Sequence, residues 1–246
     1  MRAMRVALFA DIHANLPALQ AVLADIDRVG VDVELCLGDV LGYGAFPNEC
    51  AEAVRLRGVR CLAGNHDLAI LEWLDAAAYH PDAVAAIRWQ RDELTAANRA
   101  WVARFESSAS LDGFDAMHGV PPRPLDFEYL LGLDGATRMV HRYRLLARAT
   151  FIGHSHLTKT FVVRADRAFE VSASEIRLPD DARTIVTVGS VGQPRDRNPA
   201  ASWVLYDTER RLVRYRRVPY DVRLAARAIR DRGLPPFLAD RLFHGI

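Results

Sequence analysis

Five short apolar runs in this 246-residue chain each end in a residue type that binds metal ions. RVALFA ends in Asp11-Ile12-His13, and VELCL ends in Gly38-Asp39. VRCLA ends in Gly64-Asn65-His66-Asp67. FDAM ends in His118-Gly119, and TFIG ends in His154-Ser155-His156. Runs of this length and composition read as strands. When strands alternate with helices they form parallel α/β sheets, and ligands bind beyond the strands' carboxyl ends. The five clusters, spread from residue 11 to residue 156, are therefore expected to meet in space. Five of the eight histidines belong to them.

The segments between the runs support this layout. Asn15 is a plausible N-cap, Pro17 suits a first turn and Gly30 a helix stop, with an apolar face between them. A second helix is expected over about 48–56, which gives a β-α-β-α-β start. Residues 67–105 read as a helical insertion packed beside the sheet, with Pro81 at a helix start and Thr95 as an N-cap. A further helix is expected near 136–147. Beyond it, Thr160–Arg164, Ala168–Ser172, Thr184–Val188, Ser202–Asp207 and Leu212–Val218 resemble an antiparallel meander. A last helix runs from the N-cap Asp221 to Gly233. With no linker or repeat, 1–246 reads as a single α/β domain.

Composition narrows the function. A net charge of +1 argues against a broad basic face for nucleic acid, and a 50% hydrophobic content argues against disorder. No apolar segment reaches the roughly 20 residues of a membrane span. Cys36, Cys50 and Cys61 form no C-x-x-C pair and read as reduced thiols. With no signal-peptide pattern, a cytoplasmic location is expected, without a membrane or an obligate nucleic-acid partner. The segment from Ala201 to Ile246 holds ten Arg against five acidic residues. It reads as a solvated surface, with an anion-contact role as the rival reading.

Carboxylate oxygens mixed with imidazole nitrogens favour manganese, iron, zinc or nickel over magnesium or calcium. Two such ions can share a hydroxide and clamp phosphate oxygens, and Asp39 could bridge them through its two oxygens. The glycines before Asp39, Asn65 and His154 remove bulk and permit positive φ. Taken singly, each element has an ordinary explanation as a cap or turn. The ordered set carries the signal. His80, His141 and His244 lie outside it and read as structural or surface residues.

The set D-x-H, G-D, G-N-H-D, H, G-H-x-H resembles the calcineurin-like metallophosphoesterase superfamily. DIHANLPAL and GSVGQPRDRNP (Gly189–Pro199) further resemble its compact bacterial and archaeal phosphodiesterase subgroup. The resemblance implies a four-layer α/β/β/α sandwich on two facing mixed sheets. It implies that Asp11, His13 and His156 bind one metal, Asn65, His118 and His154 a second, and that Asp39 bridges them, manganese being the first choice. His66 would act as a cationic general acid or stabilise charge at phosphorus, with Asp67 fixing its ring. The implied activity is a phosphodiesterase using a metal-bridging hydroxide for in-line attack. A phosphomonoesterase or nucleotide phosphatase, and a non-catalytic scaffold of the kind found in the retromer coat, are its rivals. The substrate would be a small phosphate ester, nucleotides included. Asn65 and Arg195 would contact it, although Arg195 could equally be a surface turn residue. Tyr43 reads as a packed loop aromatic in preference to a pocket wall. Exposed strands leave homo-oligomerisation open.

Overall fold

The computed structural model describes residues 3–77, 79–111 and 113–246. Ala78, inside the expected helical stretch, and residues 1 and 2, at the start of the expected domain, lie outside the described set. Strands β1 (Arg5–Phe9), β2 (Val33–Cys36) and β3 (Arg60–Cys61) pair in parallel. Helices α1 (Leu16–Val29) and α2 (Pro47–Leu56) connect them. Asn15 caps α1 by accepting from the Ala18 amide at 3.2 Å, and Gly30 ends it at φ 72°. Next come α3 (Asn65–Ile70), α4 (Pro81–Glu93) and α5 (Ala96–Val102), the last capped by Thr95. Strands β4 (Ser108–Leu111) and β5 (Phe114–Met117) form a hairpin. Helix α6 (Leu133–Arg138), a 3-10 segment (Met139–Leu145) and β6 (Ala149–Ile152) follow. The remaining strands are β7 (Thr158–Val163), β8 (Ala168–Val171), β9 (Glu175–Arg177), β10 (Arg183–Val188), β11 (Ala201–Asp207) and β12 (Leu212–Val218). Helices α7 (Val222–Asp231) and α8 (Pro236–Asp240) lie near the C-terminus.

The strands form two six-stranded mixed sheets, β3-β2-β1-β11-β12-β9 and β4-β5-β6-β10-β7-β8. Side-chain alternation along β1 explains why they stack. Ala7 and Phe9 face α1, where they pack with Leu19, Val22 and Ile26. Val6 and Leu8 face the other way, against Phe114, Phe151 and Val186 of the second sheet. The outer face of that sheet, through Ile152, Phe161 and Ile185, packs on Ala136, Met139 and Leu146. Three apolar layers therefore separate four structural ones, which is the helix–sheet–sheet–helix sandwich expected. Each fully buried Leu, Val or Phe contributes about 1.5–3 kcal/mol.

The expected meander is broken into two antiparallel hairpins, β7–β8 and β11–β12, that lie in different sheets. β10 pairs parallel with β6 and antiparallel with β7, and the chain then crosses to the first sheet at β11. RTIVTV is buried along nearly its whole length, because it sits at the centre of a sheet covered on both faces. Strands β4 and β9 were not anticipated: SASL and EIR are too short and polar to show a period. The helix expected near 136–147 is instead α6 followed by 3-10 turns. Helix α8, beyond Pro235, has the proline start that suits a new helix. No helix among the described residues is long and apolar enough to cross a membrane.

Candidate metal centre

All five clusters converge at one end of the sandwich, and the seven candidate ligands are buried. Five of them adopt left-handed backbone: Asp11 (φ 55°), His13 (49°), Asp39 (54°), His154 (67°) and His156 (59°). Only a few per cent of non-glycine residues do so, and such strain collects at functional sites. Loop-to-loop hydrogen bonds hold it in place. The Asp11 amide donates to the Gly38 carbonyl, and the His13 amide to the Asp39 carbonyl, each at 3.0 Å. The Ser190 hydroxyl and the Gly192 amide both donate to the Asp11 carbonyl. The glycines before Asp39, Asn65 and His154 all remove bulk, since a Cβ at Gly38, Gly64 or Gly153 would meet Gly64 N, Asp39 Oδ1 or Ala10 Cβ within 3 Å, and Gly38 also takes the positive φ (104°).

The histidine rings are tethered in one consistent way. His13 Nδ1 lies 2.9 Å from the Leu41 carbonyl, His118 Nδ1 2.7 Å from that of Leu37 and His156 Nδ1 2.5 Å from that of Gln193. His154 is held through its other nitrogen, Nε2, 2.8 Å from the Phe127 carbonyl. A carbonyl can only accept, so each tethered nitrogen carries a proton. In the neutral ring the opposite nitrogen then presents a lone pair. This is how metal-ligating histidines are oriented. His13 Nε2 and His156 Nε2 face each other at 3.1 Å. Two lone pairs at that distance repel unless a cation or proton lies between them.

These atoms form overlapping triads whose ligand atoms lie within 4.8 Å of one another. One is Asp11, His13 and His156; another is Asp39, His118 and His154; His13, Asp39 and His66 link the two. A site capable of holding two metal ions is therefore present. Asp39 sits between the triads. Its Oδ2 is 3.7 Å from His13 Nε2 and 3.4 Å from His118 Nε2. Its Oδ1 accepts the His66 amide at 2.8 Å. Asp39 thus lies between the two triads, with Oδ2 nearest the histidine rings and Oδ1 accepting the His66 amide. Asn65 Oδ1 lies 3.2 Å from His118 Nε2, beside the second triad, and its Nδ2 donates to the Tyr79 hydroxyl at 2.9 Å.

Among the described residues, no Lys or Arg lies within 4.0 Å of Asp11 or Asp39. The cluster adjusts its own charge. Burial pushes the Asp11 carboxyl up to about 8, against the pull of His118. Burial also opposes ionisation of Asp39, but His118 and His66 outweigh it and hold the carboxyl well below its usual range. The Asp39 carboxylate in turn overcomes the burial of His118 and lifts it to about 9. Burial keeps His13, His154 and His156 neutral, the protonation state in which imidazole ligates metal.

Two expectations about His66 and Asp67 need correction. Asp67 does not hold the His66 ring. Its carboxylate accepts from the amides of Asp39 (2.8 Å), Leu41 (3.1 Å) and Gly64 (3.1 Å), tying the loops after β2 and β3 together. His66 Nδ1 is buried without a hydrogen-bond partner among the described residues. What fixes the ring is aromatic packing, with Tyr43 at 4.5 Å and His13 at 4.9 Å between centroids. Nor is His66 cationic here, since burial lowers it to about 4.

Arg195 is brought to the site. Its guanidinium donates to Gln193 Oε1 (2.9 Å) and to the Tyr43 hydroxyl (3.3 Å), and no carboxylate among the described residues pairs with it. Tyr43 both packs on the histidines and lines a cavity of about 660 Å³ that reaches Asn65, His66, His154 and Arg195. Sequence reading missed Tyr79, which holds Asn65, and Tyr129, whose ring stacks on His154 at 3.9 Å and 18°. Nothing in their local sequence marks them. His80 stands at the outer wall of the same cavity, while His141 and His244 are exposed.

Residues 4–186 match the family model for calcineurin-like phosphoesterases. An uncharacterized protein of Methanocaldococcus jannaschii is 33% identical over 244 residues, covering 98% of each chain. A metallophosphoesterase from Sphaerobacter thermophilus superposes over 100% of both chains with a TM-score of 0.83 and 29% identity. A hypothetical protein from Pyrococcus horikoshii OT3 superposes over 98% of both chains with a TM-score of 0.80. At 20% identity that last likeness concerns the fold alone.

Proposed function

The chain belongs to the calcineurin-like phosphoesterase family, and from that premise we propose that it is a dinuclear metal-dependent phosphodiesterase. The observation that carries the reading is the tethering of four imidazoles. Each has one nitrogen spent on a backbone carbonyl and the other turned toward two buried carboxylates. Asp11, His13 and His156 would hold one ion. Asn65, His118 and His154 would hold the other, with Asp39 shared between them. The mixed oxygen and nitrogen donors suit manganese first, then iron, zinc or nickel. Bound divalent ions would lower the pKa of water and neutralise phosphoryl oxygens.

The chain's own groups supply the rest. Arg195, free of a carboxylate partner, would pair with a phosphate oxygen. Asn65 Nδ2, at the cavity wall, would help orient the ester. His66, a neutral imidazole held by its aromatic neighbours, would stabilise the leaving oxygen or the charge developing at phosphorus by a hydrogen bond from its ring N–H, without giving up the proton. The preference for diesters rests on two segments that resemble the compact phosphodiesterase subgroup. The second of these contributes the Ser190, Gly192 and Gln193 contacts to the site. Three free, buried cysteines fit a reducing compartment such as the cytoplasm. We read 1–246 as one catalytic unit.

The test is a manganese-supplemented assay of bis(4-nitrophenyl) phosphate against 4-nitrophenyl phosphate. The expected result is faster cleavage of the diester. A preference for the monoester would reassign the substrate class. Cleavage of neither ester with any of the four metals would overturn the enzyme reading.

A further inference from the structure

Resting on that reading, we propose that the cavity beside the metal cluster is a subsite for a flat aromatic group, a nucleobase or aryl ring, carried on the substrate's phosphate. Phe237, Leu238 and Arg241 of the C-terminal segment form part of its wall.

The cavity's inner end is polar and reaches Asn65, His66, His154 and Arg195. Its outer part is not shaped for phosphate. Leu74, Leu125 and Phe237 line it, and Tyr79, beside Asn65, and Phe127 and Tyr129, beside His154, continue the aromatic lining to the inner end. Leu125, Tyr129 and Phe237 remain 49%, 48% and 46% exposed, although each is large and apolar. One exposed apolar residue needs no explanation, but several around one concavity mark a binding surface. The volume, about 660 Å³, lies in the roughly 300–1,000 Å³ range of pockets that enclose small organic ligands. A bare phosphate or a short alkyl ester would leave most of it unfilled.

The lining selects for rings rather than alkyl chains. Tyr129 already stacks on His154, and offset ring pairs add about 0.5–1.5 kcal/mol beyond area burial. Two guanidiniums are set against aromatic faces in the same cavity, Arg195 over Tyr43 at 5.8 Å and Arg241 over Phe237 at 5.2 Å. Both can stack on a heterocycle or pair with an anionic substituent. The wall also carries two carboxylates. Asp126 is paired with Arg123 at 2.9 Å, and Asp82 lies 3.5 Å from His80. Arg241 Nε also donates to the Ile246 carbonyl oxygen at 2.6 Å, so Arg195, with no carboxylate partner among the described residues, is the freer of the two cations. Phe237, Leu238 and Arg241 come from α8 and the turn after it, which gives part of the Arg-rich C-terminal segment a place in the site.

The experiment is calorimetric titration of the manganese-loaded protein with adenosine 5′-monophosphate, phenyl phosphate, octyl phosphate and ribose 5-phosphate. All four carry the same phosphate monoester, so their differences report the subsite. The two ring-bearing ligands are expected to bind at least about tenfold more tightly than ribose 5-phosphate. Phe237→Ala should bring that ratio toward one, and Phe237→Tyr should preserve it. Equal affinities for the adenosine and ribose phosphates would overturn the proposal. Tightest binding of octyl phosphate would overturn it in favour of a lipid-like group. A parallel assay with bis(4-nitrophenyl) phosphate separates the two readings. Cleavage with equal affinities refutes the subsite alone. No cleavage refutes the phosphodiesterase reading, while the titration still decides the subsite.

Discussion

Asp25 and Asp39 are both buried carboxylates packed near the first sheet, and the chain treats them in opposite ways. Asp25, on α1, is surrounded by donors. It accepts from Trp203 Nε1 at 3.0 Å and from Arg216 Nε and Nη2 at 2.7 and 3.0 Å, and it also pairs with Arg28. Asp39 has no Lys or Arg partner among the described residues and faces the neutral ring of His13 at 3.7 Å and the ring of His118, which it lifts to about 9, at 3.4 Å. One buried charge is satisfied by the chain, joins α1 to β11 and β12, and has ordinary backbone. The other sits in a cluster where left-handed conformations accumulate and where histidines, not Lys or Arg, face the charge among the described residues. Under the proposed function, the difference separates a group kept for stability from a group kept for chemistry, although both look alike by burial alone.

Exchanging the roles by mutation is the strongest way to break this contrast. Asp39→Ala should abolish binding of both metals and reduce phosphodiester turnover by more than about 10³-fold, with little loss of melting temperature. Retained metal, measured by elemental analysis, would put Asp39 outside the centre. His66→Asn should keep both metals and lower turnover by about 10²–10⁴-fold. Loss of metal instead would make His66 a ligand, since it shares a triad with His13 and Asp39.

Asp25→Ala should do the reverse of Asp39→Ala. Metal content and turnover stay, and chemical denaturation shows a loss of about 2–3 kcal/mol. The figure is at the low end for a broken buried pair because Arg216 is 34% exposed and can rehydrate. Tyr79→Phe removes the acceptor that holds the Asn65 amide. It should weaken the second metal by about tenfold, the low end for losing a ligand's supporting hydrogen bond. Titration with manganese would reveal this as separation of two previously similar binding steps.

The smallest effect is on acid stability. Burial opposes ionisation of Asp25, but Arg216 and Trp203 more than offset it, so its folded pKa lies below the ordinary carboxylate value of about 3.9. Its stabilisation is then fully present above that value and is lost as pH falls through the folded pKa. The melting-temperature gap between the wild type and Asp25→Asn should therefore be constant from neutral pH to about 5 and narrow below 4. A gap independent of pH would show that Asp25 contributes through packing alone.

The metal cluster was legible in the sequence because its residues follow apolar runs, and the fold carries strand ends to one place. The parallel start and the caps at Asn15 and Thr95 were readable for similarly local reasons. What could not be read depends on tertiary pairing. The β10 run looks the same whether it joins a meander or the middle of a sheet. The partner of Asp67 is set by which loop amides the fold brings near, so adjacency to His66 suggested the wrong contact. Tyr79 and Tyr129 reach the site from segments with no distinguishing pattern, and the carbonyls of Leu37, Leu41, Phe127 and Gln193 are backbone atoms that any residue supplies.

In the proposed function the tethered imidazoles and the two carboxylates hold a pair of metal ions. Equilibrium dialysis of the wild-type protein against manganese, followed by elemental analysis, tests it most directly. Two ions bound per chain, removable by chelator together with phosphodiester hydrolysis, is the predicted result. A chain that binds no metal, or that hydrolyses the diester equally well after chelation, would contradict it.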